Sequence, residues 1–173
     1  MKQATIVLLF ALSLFTASSA LAADGMKLGF ADVQKILLLS DAGKEAKDQL
    51  ALKASKYEAE KGTREEELKK LKAELEKQSV LLSESARSNK EKDYQQKLKE
   101  YQRFLKDAQD DLQAKNDELT NKIVEEIVKV IHDYGKKNGY TFIFVKNDSM
   151  LYADEKAELT EELMKLFNAS KKK

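Results

Sequence analysis

The chain has 173 residues, with 31 Lys and Arg against 30 Asp and Glu, a formal net charge of +1 and no cysteine. That balance argues against a nucleic-acid polyanion or a polybasic membrane attachment as the main interaction. The missing cysteine excludes a disulfide staple and a lipobox, so stability must come from packing.

Met1-Lys2 precedes an apolar run from Ile6 to Phe15 and then small residues ending Ala20-Leu21-Ala22. A short basic start, an apolar run of about ten and an A-x-A site describe a secretory signal peptide over residues 1–22, cleaved after Ala22 or Ala23. The run is shorter than the ~20 apolar residues of a membrane span. Cleavage removes Lys2 and no acidic residue, leaving a formally neutral chain expected to be exported and soluble, without stable membrane insertion. Lys27 to Val33 then alternates as a strand, and Gln34 to Leu39 follows as a short helix with Asp32 at its cap.

Residues 42–134 read as two long helices folded back on each other. Stepping 4,3,4,3 from Leu50 meets Ala54, Tyr57, Lys61, Arg64, Leu68, Leu71, Leu75, Gln78 and Leu82, mostly apolar positions. The same stepping from Tyr94 meets Leu98, Tyr101, Leu105, Ala108, Leu112, Lys115 and Leu119. A seven-residue repeat held this long is a coiled-coil seam, and the charged residues between its positions form a wide solvated face. Stepping fails across residues 83–89, the expected tip, where Ser88 and Glu91 fit a capping box. A short connection makes the helices antiparallel, and roughly 40 residues each give an arm on the order of 60 Å long. Near its root the stripe widens to Ile123, Val124, Ile127, Val128, Val130 and Ile131, which means burial against more than one neighbour.

After the arm, Gly139 stops the helix and Tyr140 to Val145 is the strongest strand in the chain, apolar on both faces. Asn147-Asp148 is a plausible turn into a third strand, Ser149 to Ala153. Thr160 then caps a last helix, with Leu159 and Met164 at staple positions on either side. One strand precedes the arm and two follow it, so they meet only if the arm returns to its root. Residues 23–41 and 135–173 thus form a small β/α body with three strands per subunit. A strand apolar on both faces has too little cover within one subunit, so subunits are expected to associate through this sheet. Leu28, Phe30, Phe142, Phe144, Val145 and Leu151 are the expected contacts.

No Gly-rich phosphate loop, His/Cys cluster or Ser/His/Asp arrangement occurs, so neither an enzyme nor a cofactor or metal site is expected. His132, the only histidine, lies on the apolar root helix and reads as a packed or boundary residue. Carboxylate groups such as Glu65-Glu66-Glu67 sit among lysines as solvated ion-pair surface.

Lys27-Leu-Gly-Phe-Ala-Asp-Val-Gln-Lys-Ile-Leu37, the long charged hairpin, Gly139-Tyr-Thr-Phe-Ile-Phe-Val145, Leu151-Tyr-Ala-Asp154 and Leu159-Thr-Glu-Glu-Leu163 together resemble the Skp (OmpH-like) family of periplasmic chaperones. The resemblance implies a homotrimer whose strands form a shared barrel-like body. Its three helical arms would enclose unfolded outer-membrane proteins without ATP. Well-known members are strongly basic and this chain is not; no lipopolysaccharide-site residue is carried over, because none is matched to a position here.

Two functions of different class follow. The first is an ATP-independent holdase, with Val80, Leu81 and Phe104 as client contacts because these apolar residues fall off the seam stepping. The second is a structural coiled-coil spacer of the envelope.

Overall fold

The structure, a computed structural model, describes residues 25–78 and 83–171. The expected signal peptide, Val80 and Leu81 lie outside the described residues. Strand β1 (Leu28–Ala31) runs into Asp32, whose carboxylate accepts from the Lys35 amide at 2.7 Å and caps helix α1 (Val33–Leu39). Ser40 ends α1 and starts α2 (Asp41–Gln78): its amide donates to the Ile36 carbonyl, and its Oγ accepts from the Gly43 amide at 3.1 Å. The two helix axes meet so closely at this elbow that a Cβ on Gly43 would stand 1.7 Å from the Leu37 carbonyl oxygen.

Helix α2 and helix α3 (Glu84–Lys137) form the arm. The Tyr57 hydroxyl donates to Asp111 at 2.5 Å, Lys97 pairs with Glu67 at 3.1 Å, and Lys90 pairs with Glu74 at 2.8 Å. Tyr101 donates to Glu65 at 2.5 Å, and Lys53 also reaches Asp111. Halfway positions of these pairs all fall between residues 82 and 84, the pattern of a chain folded back on itself.

That register moves the start of the second helix. Ser83 rather than Ser88 is the cap, its Oγ accepting from the Ala86 amide at 3.4 Å. Glu91, expected to close a box with Ser88, instead pairs with Arg87 one turn back at 2.9 Å. Helix α3 must extend past Ser88 for Lys90 to reach Glu74.

Helix α3 ends in a Schellman motif: Gly139 takes φ +69° and the Tyr140 amide donates to the Gly135 carbonyl at 3.0 Å. The chain then enters β2 (Phe142–Val145), which pairs parallel with β1 in the register Leu28↔Phe142, Gly29↔Ile143, Phe30↔Phe144, Ala31↔Val145. Parallel strands need a long crossover, and here the crossover is the arm.

The expected third strand does not form. The Asn147 side chain accepts from both the amide and the hydroxyl of Ser149, at 3.0 and 2.6 Å, and its carbonyl accepts from Met150, so the turn closes on itself. The sheet has two strands, not three, and Leu151 stands 97% exposed. The far side of β1 is met by Glu158, bridged to Phe30, and by the Leu159 amide, which donates to the Phe30 carbonyl at 2.8 Å.

A 3-10 turn (Glu155–Ala157) leads to α4 (Thr160–Ser170). Thr160 does not cap this helix. Its fully buried hydroxyl accepts from the Asp32 amide and donates to Glu158, both at 2.9 Å, tying the end of β1 to the start of α4. Helix α4 is further held by Lys35–Glu161 at 2.7 Å, by the Tyr134 hydroxyl on Glu162 at 2.8 Å and by Lys171 on Glu126.

The core lies where these elements converge on the arm's root. Ala31, Ile36, Ile123, Ile127, Leu159, Leu163 and Phe167 are buried together, with Val130, Ile131 and Met164 packed around them. Each large side chain buried here contributes about 1.5–3 kcal/mol. The root stripe is wide because α1, α4 and β2 all pack on it. Val128 is the residue of that stripe left over, 53% exposed.

Candidate functional site

Two surfaces are left open by this packing: one on the body and one on the arm. The inner face of β1 is closed. A Cβ on Gly29 would lie 2.6 Å from Leu159 Cδ1, and Ala31 is fully buried. On the outer face, Phe142 and Phe144 stack at 5.9 Å between ring centres with half of each ring in solvent. Leu28, the register partner of Phe142, is exposed on the same face, and Val145, Leu151, Met26 and Tyr152 are exposed elsewhere on the body.

Of the residues expected at a subunit contact, Leu28, Phe142, Phe144, Val145 and Leu151 are therefore uncovered. Phe30 is 6% exposed, buried within its own subunit against Phe144 and Glu158 with the Lys146 ammonium 5.8 Å over its ring. The face continues onto α3 as a hollow of about 460 Å³ lined by Val128, Ile131, Gly135, Tyr140, Phe142 and Ile143. Among the described residues no strand covers the outer edge of β2. Two stacked rings left half in solvent beside Leu28 mark an interaction site rather than scattered surface residues.

Polar rungs cross the arm beside its seam. Hydrogen bonds from Lys53 and then Tyr57 hold the Asp111 carboxyl below the usual carboxylate range. Lys90 does the same to Glu74, and Glu67 holds the Lys97 ammonium above the ordinary lysine range. Lys61, Arg64 and Lys115, the charges in the seam, turn along their own helices to Glu58, Glu60 and Glu118.

Phe104 does not stand off the seam. Its ring meets Tyr57 edge-on at 6.0 Å and carries the Arg64 guanidinium at 4.5 Å, so it is half-buried, while Leu105 is the exposed neighbour. The turn that carries Tyr101 leans toward Glu65, which brings position 104 rather than 105 against α2. Around this pair lies a groove of about 450 Å³ lined by Ala54, Tyr57, Lys61, Phe104, Leu105 and Ala108. The seam stepping missed it because it placed Leu105, not Phe104, against the partner helix.

His132 stands in solvent, its Nδ1 3.8 Å from Asp133, not packed into the root. No three acidic or histidine side chains converge among the described residues, and none of their helices is long and apolar enough to cross a membrane. Both surfaces are fitted to contact, one broad and apolar, the other narrow and aromatic.

The family described as outer membrane protein (OmpH-like) matches residues 27–167, which spans the body on both sides and the whole arm between. The chain belongs to the OmpH-like family. A crystallised OmpH-like protein from Caulobacter crescentus CB15, assigned as an outer membrane chaperone, is similar in structure with a TM-score of 0.79. The match covers 84% of this chain and 85% of that one at 14% identity, a likeness of fold. No curated protein matches. The OmpH-like chain thus shares its mainly helical architecture with a relative whose sequence has diverged almost completely.

Proposed function

We propose that this OmpH-like chain is an ATP-independent periplasmic chaperone. It assembles as a homotrimer through the outer face of the sheet and holds unfolded outer-membrane proteins between its arms. The observation that carries this reading is the apolar face of Leu28, Phe142 and Phe144, left uncovered at the arm's root, with Val145 and Leu151 exposed as well. Closing that face against other copies projects the arms side by side, and the space between them suits many weak contacts to a chain that would otherwise aggregate. Phe104 faces that task from mid-arm, with Val80 and Leu81 assigned to it from the sequence alone.

The test is in two parts. Purified chain lacking residues 1–22 slows precipitation of a denatured β-barrel membrane protein without nucleotide; an envelope spacer leaves the rate unchanged. Sedimentation of Phe144→Asp then locates the contact. Burying a Phe is worth ~1.5–3 kcal/mol per subunit and a charge in its place is felt at every copy, so the variant is expected to dissociate. A variant that stays trimeric at micromolar concentration puts the interface elsewhere.

A further inference from the structure

The groove in the middle of the arm is bounded in a way that selects what it can hold. Along α2 it is lined from Ala54 to Lys61, and along α3 from Phe104 to Gln113. The apolar stretch is therefore about two helical turns, too short to seat a helix of another protein by its i, i+3, i+4, i+7 anchors. It is deep there because Ala54 and Ala108 occupy positions where neighbouring turns carry Leu50, Tyr57, Tyr101 and Leu112.

Its walls are aromatic. Tyr57 and Phe104 meet edge to face at 65°, and Arg64 already covers one side of the Phe104 ring. The Tyr57 hydroxyl is turned away to Asp111, leaving the ring itself for contact. On the rim the Lys61 ammonium is held by Glu58 at 2.9 Å, where it can lie over the face of a ring entering the groove. A cation on the rim and aromatic edges in the wall complement the negative face and positive edge of an aromatic ring. A volume of about 450 Å³ gives room for one such side chain with its flanking backbone.

We propose that this groove takes one aromatic side chain of an unfolded polypeptide, with Tyr57 and Phe104 as its walls and Lys61 as the cation on its rim. The inference rests on the client-holding reading and names the side-chain class that the arm recognises.

The chain contains no tryptophan, so a short unstructured peptide with a single tryptophan can be followed by its own emission without background from the protein. Binding to the full mature chain is expected to shift that emission to the blue, while the same peptide with serine in that place binds roughly tenfold more weakly or not at all. Ala54→Leu fills the groove from its exposed side and is expected to weaken binding by about tenfold with helix content and assembly mass unchanged. Lys61→Gln is expected to weaken it a few-fold. Equal binding of the two peptides, or an Ala54→Leu chain that binds the tryptophan peptide as the parent does, overturns the groove.

The aggregation assay separates this failure from the other. If the parent slows precipitation and Ala54→Leu slows it equally, the groove falls and the chaperone reading stands. If the parent itself has no effect, both fall.

Discussion

Helix α2 carries two glycines, and replacing each by alanine should move stability in opposite directions. In an open helix, alanine is favoured over glycine by about 1 kcal/mol, because glycine loses more backbone freedom on folding. Gly62 is such a case, with nothing within 4 Å of the new methyl group. At Gly43 the methyl would lie 1.7 Å from the Leu37 carbonyl oxygen and 2.9 Å from its carbon. The obstruction is backbone, and Leu37 lies within α1, so relief requires the elbow at Ser40 to open by more than an ångström. Ser40 is fully buried and Ile36, whose carbonyl it holds, is a core residue.

Overpacking of this kind costs up to about 3 kcal/mol, against the ~1 gained from propensity, for a net loss of about 2 kcal/mol. With a urea m-value of roughly 2 kcal/mol/M, Gly43→Ala lowers the unfolding midpoint by about 1 M and Gly62→Ala raises it by about 0.5 M. The comparison is made at fixed chain concentration, because association also shifts the midpoint. Midpoints that move in the same direction, or a Gly43→Ala chain at or above the parent, would falsify the account of the elbow.

Three further outcomes follow from the same geometry. Gly139→Ala meets no neighbour but must hold φ +69°, so it is expected to lose about 1 kcal/mol in the same denaturation experiment. Asp111 and Glu74 ionise more readily in the folded arm than free carboxyls, so the stability they lend is present above the ordinary carboxylate pKa, near 4, and is lost as pH falls through that range and below. Hydrogen exchange measured down through pH 4 should therefore accelerate in the arm before the body, and added salt should mimic part of the effect; an unchanged order of opening refutes it. At neutral pH, exchange is expected to be fast over residues 84–98 and slow at Ile123 to Ile131, where α1 and α4 pack; uniform protection along α3 contradicts this.

The arm was legible in the sequence because apolar residues held to a heptad in a highly charged chain have no use except as a helical seam. The stops at Asp32 and Gly139 were legible because each depends on local chemistry: a carboxylate three residues before an amide, and a backbone free to take positive φ. What the sequence misread depends on partners far along the chain. Thr160 has the look of a cap, but its hydroxyl is claimed by the amide of Asp32, 128 residues away. Ser88 with Glu91 is a sound capping box that the rung from Lys90 to Glu74 overrides. Ser149 to Ala153 alternates as a strand should, yet the turn closes on the Asn147 side chain and carbonyl, and the residues after it do not pair with the open edge of β2. Leu105 and Phe104 are adjacent and both apolar, and heptad counting cannot choose between them; the lean of Tyr101 toward Glu65 does.

The parallel pairing of β1 with β2 has a consequence for the order in which the chain acquires its structure. Lys27 and Asn138, which close the base of the arm, are 111 residues apart. Bringing such distant points together in an open coil costs about 4 kcal/mol of chain entropy plus a constant, before any strand contact is gained. The rungs of the arm are far shorter loops, beginning with Glu74 and Lys90 at 16 residues, and each one that forms shortens the loop left for the next. Zippering from the turn toward the root thus delivers β2 to β1 with most of that entropy already lost. The sheet forms last, only once the C-terminal residues are available, and substitutions near the turn should slow its formation without touching any residue in it.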